Sequence, residues 1–308
     1  MFSSDSIRAL TCFLAVLLLT LGGCARPPDT GKTLLTPKTL DELQGYFLSH
    51  KPDLEQFRAS GPFSVSSQEN YEIRLSNSEV LRTDLYLSGH ADKAPLAIFL
   101  HGYDSNKDNH TYQAMHLASW GIHSLSVQLP NTGPWLANGR TLAKFVRFVQ
   151  RWPEIIDSRV DIAKIILVGH SFGGASVTVA LGEGAPVIGA ILLDPAVVGI
   201  DVARYLKQSA VPMMVLGADE RVSMARNREN FYRHAKGGVF EVSVKDAAHE
   251  DGQFPAPLGY GNEAQQLTFV SAITAAAISL SALGNYDFAW ASFKEPLEKG
   301  TLFNAKKK

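Results

Sequence analysis

The sequence predicts an α/β fold, a mostly parallel central sheet with helices on both faces. Three observations predict it. Short apolar runs recur at 97–100, 164–168, 187–193 and 211–216, as strands buried on both sides require. Helical patterns fall between them, so strand and helix alternate. And 308 residues with 45% hydrophobic content are enough to bury one large core.

The elements follow in order. Residues 38–60 mix helix formers with turn residues and predict a helical lead-in. Residues 71–75 and 80–87 alternate around Ser76-Asn77-Ser78 and predict a hairpin. Ala97-Ile98-Phe99-Leu100 is a buried strand, and 122–129 the next one. Asn131-Thr132-Gly133-Pro134-Trp135 is then a loop. Leu142, Phe145, Val146 and Val149 recur at helical spacing, with Arg147, Gln150 and Arg151 on other faces. Lys164-Ile165-Ile166-Leu167-Val168 is a strand, and 174–181 can form the helix after it. Strands at 187–193 and 211–216 bracket a helical stretch at 202–206. A polar helical stretch at 226–234 puts His234 at the surface, and 239–244 is the last strand. Residues 267–283 are long and uncharged, but carry Thr268, Ser271, Thr274, Ser279 and Ser281 and are slightly short for a membrane span. They read as a buried closing helix. Residues 38–300 thus form a single domain, without internal repeats, and 301–308 a basic, solvated tail ending in Lys306-Lys307-Lys308.

The first residues read as a leader. Arg8, an apolar run at 9–19 and the small residues before Cys24 describe a secretory signal peptide over 1–23. Leu21-Gly22-Gly23-Cys24 also resembles the lipobox of bacterial lipoproteins. That resemblance implies a lipid on Cys24, a tether over 24–37 and attachment to the cell envelope. Ala25-Arg26 lacks the aspartate of lipoproteins retained at the inner membrane, which implies the outer membrane, facing the periplasm or the exterior.

Cys12 and Cys24 are the two cysteines, both in this region. The domain therefore has no thiol nucleophile, disulfide or cysteine metal site, which excludes cysteine hydrolases. A net charge of −1 gives no basic field for nucleic acid. The expected partners are a small-molecule or lipid ester and, through the anchor, a membrane.

One pattern carries chemistry. Gly169-His170-Ser171-Phe172-Gly173 reads G-x-S-x-G between a predicted strand and a predicted helix, the context of a nucleophile elbow. There a serine sits on a strained turn above the sheet, and its neighbours must be small. A serine hydroxyl needs a base to take its proton, usually a histidine oriented by a carboxylate. In the order serine, acid, histidine, the base lies late in the chain. Only His234 and His249 follow Ser171. His249, just after the 239–244 strand, is the candidate base. The acid is Asp194, which ends one strand in Leu193-Asp194-Pro195, or Asp219 or Glu220, which end the next. Asp246 and Asp251 lie too near His249 in sequence. An oxyanion hole needs two backbone N–H groups. Phe172 would supply one, and Tyr103 in His101-Gly102-Tyr103-Asp104 the other. Trp135 is the candidate for lining the substrate pocket. No metal or organic cofactor is required.

Together these residues resemble the α/β-hydrolase superfamily over roughly residues 70 to 285. Within it the chain is most similar to chlorophyllase and platelet-activating-factor acetylhydrolase-like enzymes, with cutinase-like polyester hydrolases nearby. The carrying segments are Phe99-Leu100-His101-Gly102-Tyr103, Gly169 to Gly174, Leu193-Asp194-Pro195 and Lys245-Asp246-Ala247-Ala248-His249. The first two families keep the acid where Asp194 stands. In cutinase-like enzymes it lies on the next strand end, where the usual aspartate position falls on Arg221 here. The resemblance thus implies Asp194, with Asp219 as the alternative, and a serine esterase acting through an acyl-enzyme. The alternatives are an acyltransferase or peptidase on the same residues, or a non-catalytic binding lipoprotein. Peptidases of this fold usually carry an extra propeller or cap domain.

Overall fold

The structure, a computed structural model, describes residues 37–90, 92–196, 202–219 and 223–308, without the side chains of 223–227. The predicted signal peptide, Cys24 and nearly all of the tether lie outside them, as do Glu220 and Arg221. Among the described residues, nine strands form one sheet. They are β1 (Val65–Ser76), β2 (Glu79–Ser88), β3 (Ala94–Leu100), β4 (His123–Gln128), β5 (Val160–His170), β6 (Gly189–Leu193), β7 (Met213–Gly217), β8 (Val239–Val244) and β9 (Leu302–Lys307). Their order is β1-β2-β4-β3-β5-β6-β7-β8-β9. Strands β3 to β8 run parallel, and β1, β2 and β9 are antiparallel to their neighbours.

Alternation along the strands splits the core in two, because successive side chains point to opposite faces. Ala97, Phe99, Ile166, Val168, Ile191 and Leu193 pack on one side, toward α1 (Leu40–Ser49), α2 (Thr111–Ser119) and α7 (Glu263–Leu283). Leu96, Ile98, Leu100, Ile165, Leu167 and Leu192 pack on the other, with α3 (Trp135–Arg151), α4 (Phe172–Gly182), α5 (Val202–Gln208) and α6 (Ser223–His234). This is the mostly parallel, doubly covered sheet that the pattern predicts. Helix α7 is long and apolar enough to cross a membrane, yet 78% of its most apolar stretch is buried inside the protein. It closes one face of the core.

Three expectations need correction. Trp135 is the first residue of α3, not a loop residue. Val239–Val244 is not the last strand. Residues 301–308 are no loose tail, although Lys307 and Lys308 stay exposed: two short helices, α8 (Asp287–Ser292) and α9 (Lys294–Lys299), lead into β9, which pairs along the edge of β8. The edge explains the strand. Unpaired N–H and C=O groups on β8 form a template for a neighbour, and the lysines lie over rings, Lys306 above Tyr232 and Lys307 above Phe240 and Trp290.

Candidate active site

The parallel strands all end on one edge, and that edge collects the candidate residues. Leu100 leads into His101-Gly102-Tyr103, His170 into Ser171, Leu193 into Asp194, and β8 into the turn that carries His249.

Ser171 is the N-cap of α4 with φ 53° and ψ −123°, a left-handed backbone that a non-glycine residue adopts only at a cost. Its N–H donates to the Leu193 carbonyl at 3.0 Å, and its own carbonyl accepts from Gly174 and Ala196, each at 3.0 Å. These bonds clamp the turn to the end of β6. A Cβ on Gly169 would lie 2.6 Å from the Gly173 carbonyl oxygen, and one on Gly173 would be driven into the carbonyls of Leu100 and His101. The motif glycines are therefore steric necessities.

The loop after β3 passes directly over the serine. A Cβ on Gly102 would come within 2.8 Å of Ser171 Cβ. His101 fixes this loop: Nδ1 lies 3.0 Å from the Gly102 carbonyl, and Nε2 lies 3.0 Å from the Leu129 carbonyl and 3.2 Å from Leu129 N–H. Burial lowers the basicity of His101, against the two carbonyl contacts, which raise it. Tyr103 follows and is exposed. Phe172 opens α4, so its N–H belongs to the first turn, where backbone donors lack intrahelical partners and favour negative charge. Trp135 stacks on Phe172, rings 4.6 Å apart and 10° from parallel, and Tyr103 lies 6.2–6.4 Å from both. The three rings form one aromatic wall beside the serine.

The structure brings His249 to Asp194. His249 Nδ1 lies 2.6 Å from Asp194 Oδ2. The other oxygen, Oδ1, accepts from Ala218 N–H at 3.0 Å and from Arg228 Nη1 at 2.7 Å. Asp194 is 1% exposed. Burial alone would raise its pKa, but the His249 hydrogen bond, the Arg228 charge and the Ala218 N–H outweigh it and lower the pKa. Asp219 does not take this place. Its carboxylate accepts from Lys245 Nζ at 3.0 Å and Asp246 N–H at 2.8 Å, which ties β7's end to the turn after β8. His234 is half-buried at the end of α6.

Residues that the sequence did not single out hold this arrangement. Asp251 accepts from Ala248 N–H at 2.8 Å and from Asn262 N–H at 2.5 Å, closing the tight turn that carries His249. Gln113 Nε2 donates to the Gly252 carbonyl at 2.9 Å, and Ser105 Oγ to Gln253 Oε1 at 2.5 Å. His170 and Arg228 reach His249 and Asp194 directly. Of these, only His170 had a sequence signal, its place inside G-x-S-x-G. Among the described residues, no group of three or more His, Asp or Glu side chains is placed to hold a metal ion.

The alpha/beta hydrolase family profile matches residues 97–297, which span the whole site from β3 to α9. The chain belongs to the alpha/beta hydrolase family. Members are generally hydrolases, and a serine at the elbow, a histidine and a buried carboxylate fit that chemistry. This alpha/beta hydrolase is also similar to Protease 2 of Moraxella lacunata, with 26% identity over 235 residues, 71% of the chain and 33% of the relative. The chain thus spans about a third of that curated protein's length.

Proposed function

We propose that the protein is a serine hydrolase of carboxylic esters working through an acyl-enzyme. The observation that carries the reading is the 2.6 Å bond from His249 Nδ1 to buried Asp194, on the same sheet edge as the strained Ser171. Nδ1 is bonded to Asp194, and the reading gives Nε2 the role of base toward Ser171. Ser171 Oγ attacks the ester carbonyl as His249 Nε2 takes its proton. The oxyanion is held by the N–H groups of Phe172 and Tyr103. His249 returns the proton to the leaving alkoxide, and water then hydrolyses the acyl-enzyme by the same base. Asp194 stays ionised and stabilises the imidazolium, which its lowered pKa favours.

The aromatic wall of Tyr103, Trp135 and Phe172 suits a neutral or apolar acyl or alcohol group. The Leu193-Asp194-Pro195 and His101-Gly102-Tyr103 segments, similar to chlorophyllase- and acetylhydrolase-like enzymes, support an ester substrate. The leader pattern supports an envelope protein acylated on Cys24. Radiolabelled palmitate should enter the wild type and not Cys24→Ser.

The name of the Moraxella relative favours a second reading, peptide-bond hydrolysis by the same three residues. Two measurements test the pair. A fluorophosphonate probe should label the folded protein and spare Ser171→Ala; an unlabelled wild type defeats both readings. A series of p-nitrophenyl esters against matched peptide p-nitroanilides then decides between them. Turnover of the anilides alone would overturn the ester proposal.

A further inference from the structure

Arg228 lies on α6, a helix of mostly polar sequence, yet its guanidinium reaches the candidate acid. Nη1 donates to Asp194 Oδ1 at 2.7 Å and to the Ala218 carbonyl at 2.8 Å. The residue is 5% exposed. A glycine makes room for it: a Cβ on Gly217, the last residue of β7, would lie among the guanidinium atoms and 2.8 Å from Arg228 Cδ. Burying an ion pair gains little stability over apolar packing, because desolvation consumes the Coulombic attraction. A buried arginine aimed through a glycine gap at one carboxylate oxygen calls for another reason.

We propose that Arg228 is a positioning residue for His249: it pins Asp194 Oδ1, leaves Oδ2 to the imidazole, and its charge sets the pH at which His249 becomes a working base. Asp194 alone would stabilise the imidazolium strongly and hold His249 protonated to high pH. A fixed positive charge on the far oxygen offsets part of that field. His249 then releases its proton at lower pH, while the hydrogen bond that fixes its tautomer survives.

The surrounding charges agree. On the sheet side Arg228 faces Asp194 and, on β8, Glu241, whose carboxylate is buried and bound by Lys306 of β9 at 3.3 Å. Glu229 is its neighbour on α6, and Arg228, Glu229, Glu241 and Lys306 line one polar cavity of about 450 Å³. Around His249 stand Asp194 and His170, with Glu250 and Asp251 in its own turn. Burial holds His170 neutral. Asp251 is committed to two backbone N–H groups. Among the described residues, Arg228 is thus the cation bonded to Asp194, the partner of His249.

The proposal rests on His249 being the base, so the test reads the imidazole both with and without turnover. In isotope-labelled full-length protein, the His249 ring is titrated by NMR, and kcat/KM for a p-nitrophenyl ester is measured against pH. Arg228→Gln should raise the His249 midpoint by roughly one pH unit and move the acid limb of kcat/KM up equally. Arg228→Lys, which keeps the charge, should leave both within about 0.3 unit of the wild type. A folded Gln variant with unchanged His249 titration overturns the proposal. Where the Gln variant does not fold, Arg228→Met, which keeps the chain's bulk but not its charge, decides: a raised midpoint supports the proposal and wild-type titration overturns it. An NMR shift without ester turnover in any form would instead defeat the ester reading and leave the role of Arg228 standing.

Discussion

His170 donates its Nε2–H to the backbone carbonyl of His249 at 2.8 Å, with the two rings 4.6 Å apart. A carbonyl only accepts, so the proton on Nε2 follows. The residue just before the candidate nucleophile thereby holds the turn that carries the candidate base. Burial, with His249 and His110 nearby, pushes the pKa of His170 well below its ordinary value, so this tautomer persists at working pH. His170→Phe keeps a ring but loses the donor. It should lower kcat about tenfold to a hundredfold, the cost of a misplaced catalytic group, with KM changed less than threefold. His170→Gln, whose amide can donate, should recover part of the loss. Equal kcat in the Phe variant would mean that the bond does not position His249.

Asp194 and Asp219 end adjacent strands but face different partners, His249 and the Lys245-Asp246 turn. Asp194→Asn should reduce kcat about a thousandfold or more, since the amide can impose the wrong imidazole tautomer. Asp219→Asn should stay within about threefold in kcat, because an amide oxygen can still accept from Asp246 N–H and the lost ion pair with Lys245 is partly exposed, worth at most about 1 kcal/mol. Steady-state kinetics of the two variants on one ester decide it. The opposite ranking would return the acid role to Asp219.

What the sequence made legible follows from what physics writes locally. Gly169 and Gly173 reveal Ser171 because a side chain at either would strike backbone within a few residues or on the adjacent strand. Chain order made His249 the candidate base, and choosing Asp194 as candidate acid needed a family resemblance, since two strand ends offered carboxylates. Arg228 was hidden. An arginine in a polar helix reads as solvated, and only the assembled sheet shows its head group crossing Gly217 to reach Asp194. Trp135 was misread because Thr132-Gly133-Pro134 signals a loop, while α3 begins immediately after the proline. Strand β9 was hidden for the same reason as Arg228. Its lysines read as a free tail until the edge of β8 and the rings beneath them are known.

Trp135 stacks against Phe172 at 4.6 Å and so shapes the wall beside Ser171. Trp135→Ala should raise KM about tenfold for aromatic or long-chain esters, the worth of a lost stacked contact and its buried area. Acetate esters, too short to reach the wall, should change less than twofold. A uniform loss across acyl lengths would make Trp135 a packing residue instead.

His123 is fully buried, and its Nδ1 accepts from Ser88 N–H at 3.1 Å, so the ring must be neutral there. Burial, aided by the Arg159 charge, lowers its pKa from 6.5 to about 4, and burial does the same to His110 and His116. Above pH 6.5 both folded and unfolded forms hold these rings neutral, and stability does not depend on them. Below 6.5 the unfolded chain takes up protons that the folded protein refuses. Stability should therefore fall from pH 6.5 to about 4, by of order 3 kcal/mol for His123. His123→Asn offers an amide oxygen to Ser88 and no titration. Urea midpoints at pH 7 and 5 should differ less in this variant than in the wild type, and an identical drop would refute the assignment.

Residues 301–308 complete the sheet, and their removal tests that role against a solvated tail. Pairing with β9 covers the edge of β8, and Lys306 neutralises the buried Glu241, whose pKa burial has already raised. Truncation after Gly300 would bare a strand edge and leave that carboxylate without its cation. Thermal scans should show Tm lower by roughly 5–10 °C, with turbidity rising with protein concentration as bare edges pair. Lys306→Gln should lose part of the Tm without the turbidity, since the ladder remains. A truncated protein with wild-type Tm and no turbidity would show that the edge of β8 needs no cover, and Glu241 no partner.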